Sequence, residues 1–149
     1  MNREITRQLL DFLQKSPSPY HAEANMAKEL EDHGYRCLYE EEGWELLPGG
    51  RYYVTRGGSA LIAFALPDQP KPESFQIMAS HSDSPTFKLK EAPELLVDDR
   101  FVKLNVEKYG GMLMAPWFDR PLSIAGRLLV RQGEEIQGRQ GDAGRDLVM

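Results

Sequence analysis

At 149 residues, 41% hydrophobic and 28% charged, the chain can bury a real core and reads as folded rather than disordered. A formal net charge of −5 without a dense Lys/Arg stripe argues against a nucleic-acid partner, and no stretch reaches the length of a membrane span. One cysteine, Cys37, leaves no internal disulfide and no cysteine-rich zinc site.

The N-terminal MNREITRQLLDFL is charged and amphipathic, with no long apolar core and no small-residue cleavage site, so it is not a secretory signal and a cytoplasmic protein fits. Ile5, Leu9, Phe12 and Leu13 share one face at helical spacing, with Leu10 on the flank, which predicts a helix over 2–15. Ser16-Pro17-Ser18-Pro19 stops it, because a residue before proline avoids the helical region. Ser18 then suits an N-cap and Pro19 the first turn of a second helix, with Tyr20, Ala24, Ala27 and Leu30 inward and Gly34 as its stop. His21 reads as a capping or packing histidine, and His33 as a partner for the helix C-terminus. Cys37, in YRCLYE, reads as a small buried residue rather than a catalytic thiol.

Glu40-Glu41-Glu42 reads as a solvated acidic loop, anchored by Trp44, Leu46 and Leu47. After the Pro48-Gly49-Gly50 turn, a strand is predicted over 51–55 with Tyr52 and Tyr53 on opposite faces. The nearly continuous apolar run SALIAFAL at 59–66 predicts a second strand, buried on both faces. Gly57-Gly58 between them is a hairpin signal and not a phosphate loop, lacking the helix and the lysine.

Phe75, Ile77 and Ala79 alternate with Gln76, Met78 and Ser80, which predicts a central strand running up to His81 and broken by Pro85. His81 and Asp83, two positions apart, project to one side if the chain stays extended. An imidazole can bind a metal through one nitrogen while a carboxylate fixes the other N–H, so H-x-D at a strand end can form half of a metal site. A serine nucleophile at Ser82 or Ser84 is rejected, because such near neighbours cannot stack as nucleophile, base and orienter, and G-x-S-x-G is absent.

Beyond Lys90, the segment 91–94 reads as a link. Strands are predicted over 100–107 and 124–131, with a bulge at Gly126 in the second. Asp98-Asp99 reads as a turn. Lys88, Lys90, Lys103 and Lys108 have the spacing of solvent-facing strand positions. Trp117 and Phe118 suit either a protein contact or a core.

Four ordered motifs carry a resemblance: SPSPYHA at 16–22, ASHSDSPTFKLK at 79–90, YGG followed by WFDRPLSIAGR within 109–127, and the terminal RDLVM. Together they resemble the N-terminal portion of the M18 metallopeptidase family, the aspartyl aminopeptidases. The resemblance implies an α/β fold. Residues 1–90 correspond to the start of a three-layer α/β/α zinc-peptidase domain, and residues 91–149 to the start of a β-rich dimerisation insert. It implies His81 as a metal ligand and Asp83 as the carboxylate that tunes it, in a two-metal zinc site where manganese or cobalt could substitute. It also implies a peptide substrate with an acidic N-terminal residue, and a homo-oligomer. Three positions depart from the family pattern: Ser82 stands for a commoner threonine, Met112 for a third glycine, and Pro121 for an acidic residue. Further ligands and the general base come from later segments in the family. A catalytic zinc takes about three protein ligands, so the chain by itself is expected not to hydrolyse peptides. The competing expectation is a truncated, non-catalytic folding or assembly module.

Overall fold

Helix α1 spans Arg3–Lys15 and α2 spans Pro19–Asp32 in the computed structural model, which describes residues 3–69 and 74–129. The proline-serine break between the helices follows from the local chemistry. Ser18 is extended, at φ −140° and ψ 163°, and its Oγ accepts the His21 amide, so it caps α2 with Pro19 in the first turn. Asn25 returns to the break, donating to the Lys15 carbonyl at 2.9 Å and to Ser16 Oγ at 3.1 Å. At the other end Tyr35 N–H reaches the Leu30 carbonyl and Gly34 takes φ 79°, which glycine adopts without a Cβ clash. The sequence places both helices correctly. Tyr20, Ala24, Ala27 and Leu30, the residues of α2 read as inward, are half-buried, while the fully buried ones are Ala22 and Glu23.

The described residues divide into two compact units, one comprising those up to Asp83 together with 123–129, the other Ser84–Leu122. In the first unit, α2 packs on a three-stranded sheet of order β1-β2-β3: β1 (Arg36–Cys37), β2 (Arg51–Arg56) and β3 (Ala60–Ala65). β1 runs parallel to β2, and β2 pairs antiparallel with β3 from Arg51↔Ala65 to Arg56↔Ala60. The core centres on Ala22, Leu38, Tyr52 and Tyr53. Buried phenols need partners. Tyr53 donates to Glu31 Oε1 at 2.6 Å, and Tyr52 Oη accepts the Leu47 amide at 2.8 Å while its ring packs on Phe64. Trp44 closes the acidic loop through its indole N–H on the Tyr39 carbonyl, 2.8 Å away.

Three strand expectations change. β3 is not buried on both faces: Ile62 is 71% exposed, and among the described residues β2 is its only ladder neighbour. Residues 74–80 form no strand. Their alternation is present, but they join no sheet ladder among the described residues, and Ile77 stays 84% exposed. Periodicity proposes a strand; hydrogen bonds to a neighbouring chain segment make one. Of the strand predicted over 124–131, only an isolated bridge at Ala125 forms, and residues 130 and 131 lie outside the described residues.

The second unit is a two-stranded ribbon of β4 (Thr86–Val97) and β5 (Phe101–Tyr109). The link read at 91–94 is instead part of β4, where the register shifts between Leu89 and Glu94. Pro93 donates no ladder bond, and a bulge tolerates it. Asp98 and Asp99 form the hairpin turn, both at positive φ (51° and 50°), a conformation their short side chains tolerate. Phe87 packs edge-on to Trp117 at 5.6 Å and near Phe118 at 6.0 Å, giving both aromatics a place within this unit.

Candidate metal-binding site

His81 and Asp83 do come together, but through a bend at Ser82 rather than through the pleat of a strand. His81 Nδ1 lies 3.0 Å from Asp83 Oδ1 and 2.9 Å from the Asp83 backbone carbonyl. Both are acceptors, so Nδ1 carries the hydrogen and donates; in the neutral ring the lone pair is then on Nε2. The His81 side chain is 77% exposed and that of Asp83 35%, so the ring is reachable from solvent while its orienting carboxylate is partly shielded. This is the arrangement in which an imidazole ligates a metal with a carboxylate behind it.

Ser82 adds a tether. Its Oγ donates to the Ser59 carbonyl at 2.9 Å, joining the bend to the turn between β2 and β3. The same turn is held by Arg127, which donates to the Gly57 carbonyl at 2.9 Å and lies over the Tyr20 ring at 4.3 Å. Gly57 and Gly58 take φ 64° and 70°, and a Cβ on Gly58 would stand 3.3 Å from Arg127 Nη1. Sequence reasoning missed both contacts. Arg127 ends the WFDRPLSIAGR motif, which was the available signal for it.

His21 and His33 resolve as the sequence suggested, whereas Cys37, read as buried, is not fully so. His21 Nδ1 is 2.7 Å from Ser18 Oγ at the α2 cap, and His33 Nδ1 is 2.8 Å from the Glu29 carbonyl in the last turn. Cys37 is half-buried. Burial pushes the Glu23 carboxyl above its ordinary range, partly offset by a hydrogen bond from Thr55. Burial, then the hydrogen bond to Glu31, pushes the Tyr53 phenol well up. Glu40 is held low by its two-pronged pairing with the Arg56 guanidinium. None of these groups joins His81. Among the described residues no three His, Cys, Asp or Glu side chains converge as a metal cluster. The donors present therefore fit zinc as one ligand with its orienting carboxylate, and not as a finished site.

A mixed helix-and-sheet chain that holds a histidine oriented by the carboxylate two positions on is a structural class that comparison with known proteins narrows. The sequence model for "Aminopeptidase I zinc metalloprotease (M18)" matches residues 12–148. The chain is 46% identical over 143 residues to a probable M18 family aminopeptidase 2 of Pseudomonas paraeruginosa, covering 95% of this chain and 33% of that protein. Its fold is similar to the structure of Chaetomium thermophilum mApe1, with a TM-score of 0.80, 32% identity, and coverage of 98% of this chain and 32% of the other. It is also similar to the S. cerevisiae mApe1 dodecamer, with a TM-score of 0.71, 28% identity, and coverage of 97% and 32%. The chain belongs to the M18 metallopeptidase family. It spans about a third of the length of the curated relatives it matches.

Proposed function

We propose that this chain is the N-terminal segment of a zinc-dependent aminopeptidase that removes Asp or Glu from peptide N-termini. The observation that carries the reading is the His81–Asp83 pair, with Nδ1 committed to the carboxylate and the Nε2 lone pair left to bind. His81 is the ligand; Asp83 holds the ring's tautomer and orientation and raises its basicity. Zinc held there supplies Lewis acidity toward a peptide carbonyl and an acidified water. The family description supports zinc, and a second metal, with manganese or cobalt as substitutes, belongs to the same proposal. So do a division into a peptidase part over 1–90 and a dimerisation part over 91–149, a homo-oligomeric state and a cytoplasmic location. The dodecamer of the yeast neighbour supports the oligomer. Among the described residues no helix is long and apolar enough to cross a membrane.

A second reading, a folding and assembly module without catalysis, is favoured by His81 being, among the described residues, a single ligand with its orienting carboxylate and no third group beside them. One experiment covers both. The complete polypeptide carrying this segment is stripped with a chelator, zinc is restored, and kcat/KM is compared for peptides beginning with Asp or Glu and with Ala or Leu. Restored activity preferring the acidic residue at least about tenfold, or about 1.4 kcal/mol, is the expected result. Equal rates on neutral N-termini contradict the substrate assignment. The 149 residues assayed alone are expected to give no turnover with zinc, manganese or cobalt.

A further inference from the structure

Among the described residues, no strand leads into the bend that presents His81. Residues 74–80 carry no ladder among the described residues, and the three positions 81–83 fold back on themselves. The Ser82 hydroxyl ties the bend to a regular element, donating to the Ser59 carbonyl 23 positions earlier, next to the glycine pair that turns β2 into β3. That turn is well fixed. β2 and β3 pair through six consecutive partners, and Arg127 adds its bond to Gly57 and its stack on Tyr20 of α2. Ser82 lies between the ligand and its orienting carboxylate, so fixing its backbone fixes how closely residues 81 and 83 approach.

We propose that Ser82 is a positioning residue for the metal-binding histidine: latched to the Ser59 carbonyl, it sets the bend that holds His81 Nδ1 on Asp83 and reserves Nε2 for the ligand bond. The proposal rests on the reading of His81 as a ligand, and it extends that reading to a residue whose hydroxyl is engaged by backbone 23 positions away. Arg127 is the brace behind it, holding in place the turn to which Ser82 is latched. A packing role alone for Ser82 makes a different statement, because packing does not select between the two neutral forms of a neighbouring imidazole. A hydrogen bond at one ring nitrogen does.

The test reads the His81 tautomer directly, by imidazole nitrogen–proton correlation in the full chain without metal, at a pH where the ring is neutral. The wild type is expected to show the hydrogen on Nδ1. In Ser82→Ala the bend loosens and the ring shifts toward the Nε2–H form that an unrestrained imidazole favours, while Ser82→Thr, which keeps the hydroxyl, restores Nδ1–H. Arg127→Gln, which leaves the loop residues untouched, lowers the Nδ1–H population in the same direction and decides the matter should Ser82→Ala fail to fold. A wild type with Nε2–H, or a Ser82→Ala chain with the wild-type tautomer, overturns the proposal. Zinc content of the complete polypeptide keeps the two readings apart, with about a tenfold loss of affinity expected for Ser82→Ala. If the tautomer responds as stated but His81→Ala retains wild-type zinc, the positioning role stands and the ligand reading falls. If His81→Ala loses zinc and the Ser82→Ala tautomer is unmoved, the positioning role alone falls.

Discussion

Glu23 and His81 are ionisable residues placed under opposite conditions, one buried against β2 and one largely in solvent. Burial disfavours the charged form of Glu23, so its folded value lies above its unfolded one. Below the ordinary carboxylate value of 4.5 both states are protonated and nothing is lost. As pH rises through the unfolded and then the folded value, the penalty grows to its full size. Glu23→Gln should therefore raise the urea midpoint relative to wild type at neutral pH, and the gain should vanish below the ordinary carboxylate range. A gain of the same size at both pH values contradicts the burial argument. The H-x-D pair was legible in the sequence, because the two donors lie within three residues. The Ser82–Ser59 bond was not, since its partners are separated by a whole strand and by a loop that local pattern does not close.

At the scale of elements, local chemistry decides α2 and fails for β4. The helix has its cap, its first-turn proline and its terminal glycine written in order, and each does what its type favours. Ser18→Ala removes both the amide cap and the contact with the His21 ring. The cap distance of 3.5 Å is at the long limit of a hydrogen bond, so the loss should fall in the lower part of the capping range, about 0.5–1 kcal/mol by urea denaturation. No change in midpoint would show that the cap is ornamental. β4 was missed because Pro93 and the charges around it read as a link, whereas the ladder simply shifts register and continues. Residues 74–80 fail in the opposite sense: the pattern is there, and among the described residues the ladder is not. A hairpin turn such as Asp98-Asp99 is legible because its backbone demand falls on the residues that state it.

For the whole molecule, family membership is written in four short motifs, while the chemistry they serve needs more donors than the described residues bring together. The apolar face of α1, with Ile5, Leu9 and Leu13 exposed, shows why helical periodicity alone could not say what that face meets. The chain's span of about a third of its relatives' length frames the functional proposal, in which His81, oriented by Asp83, is one contributor to a metal site. The direct measurement is zinc content together with hydrolysis of an N-terminal aspartyl peptide, in the complete polypeptide carrying this segment, for wild type, His81→Ala and Asp83→Asn. The account predicts that His81→Ala loses metal and metal-dependent turnover together, while Asp83→Asn keeps much of the metal and loses about 10–100-fold in rate. A His81→Ala protein that retains zinc and turns over at the wild-type rate contradicts it.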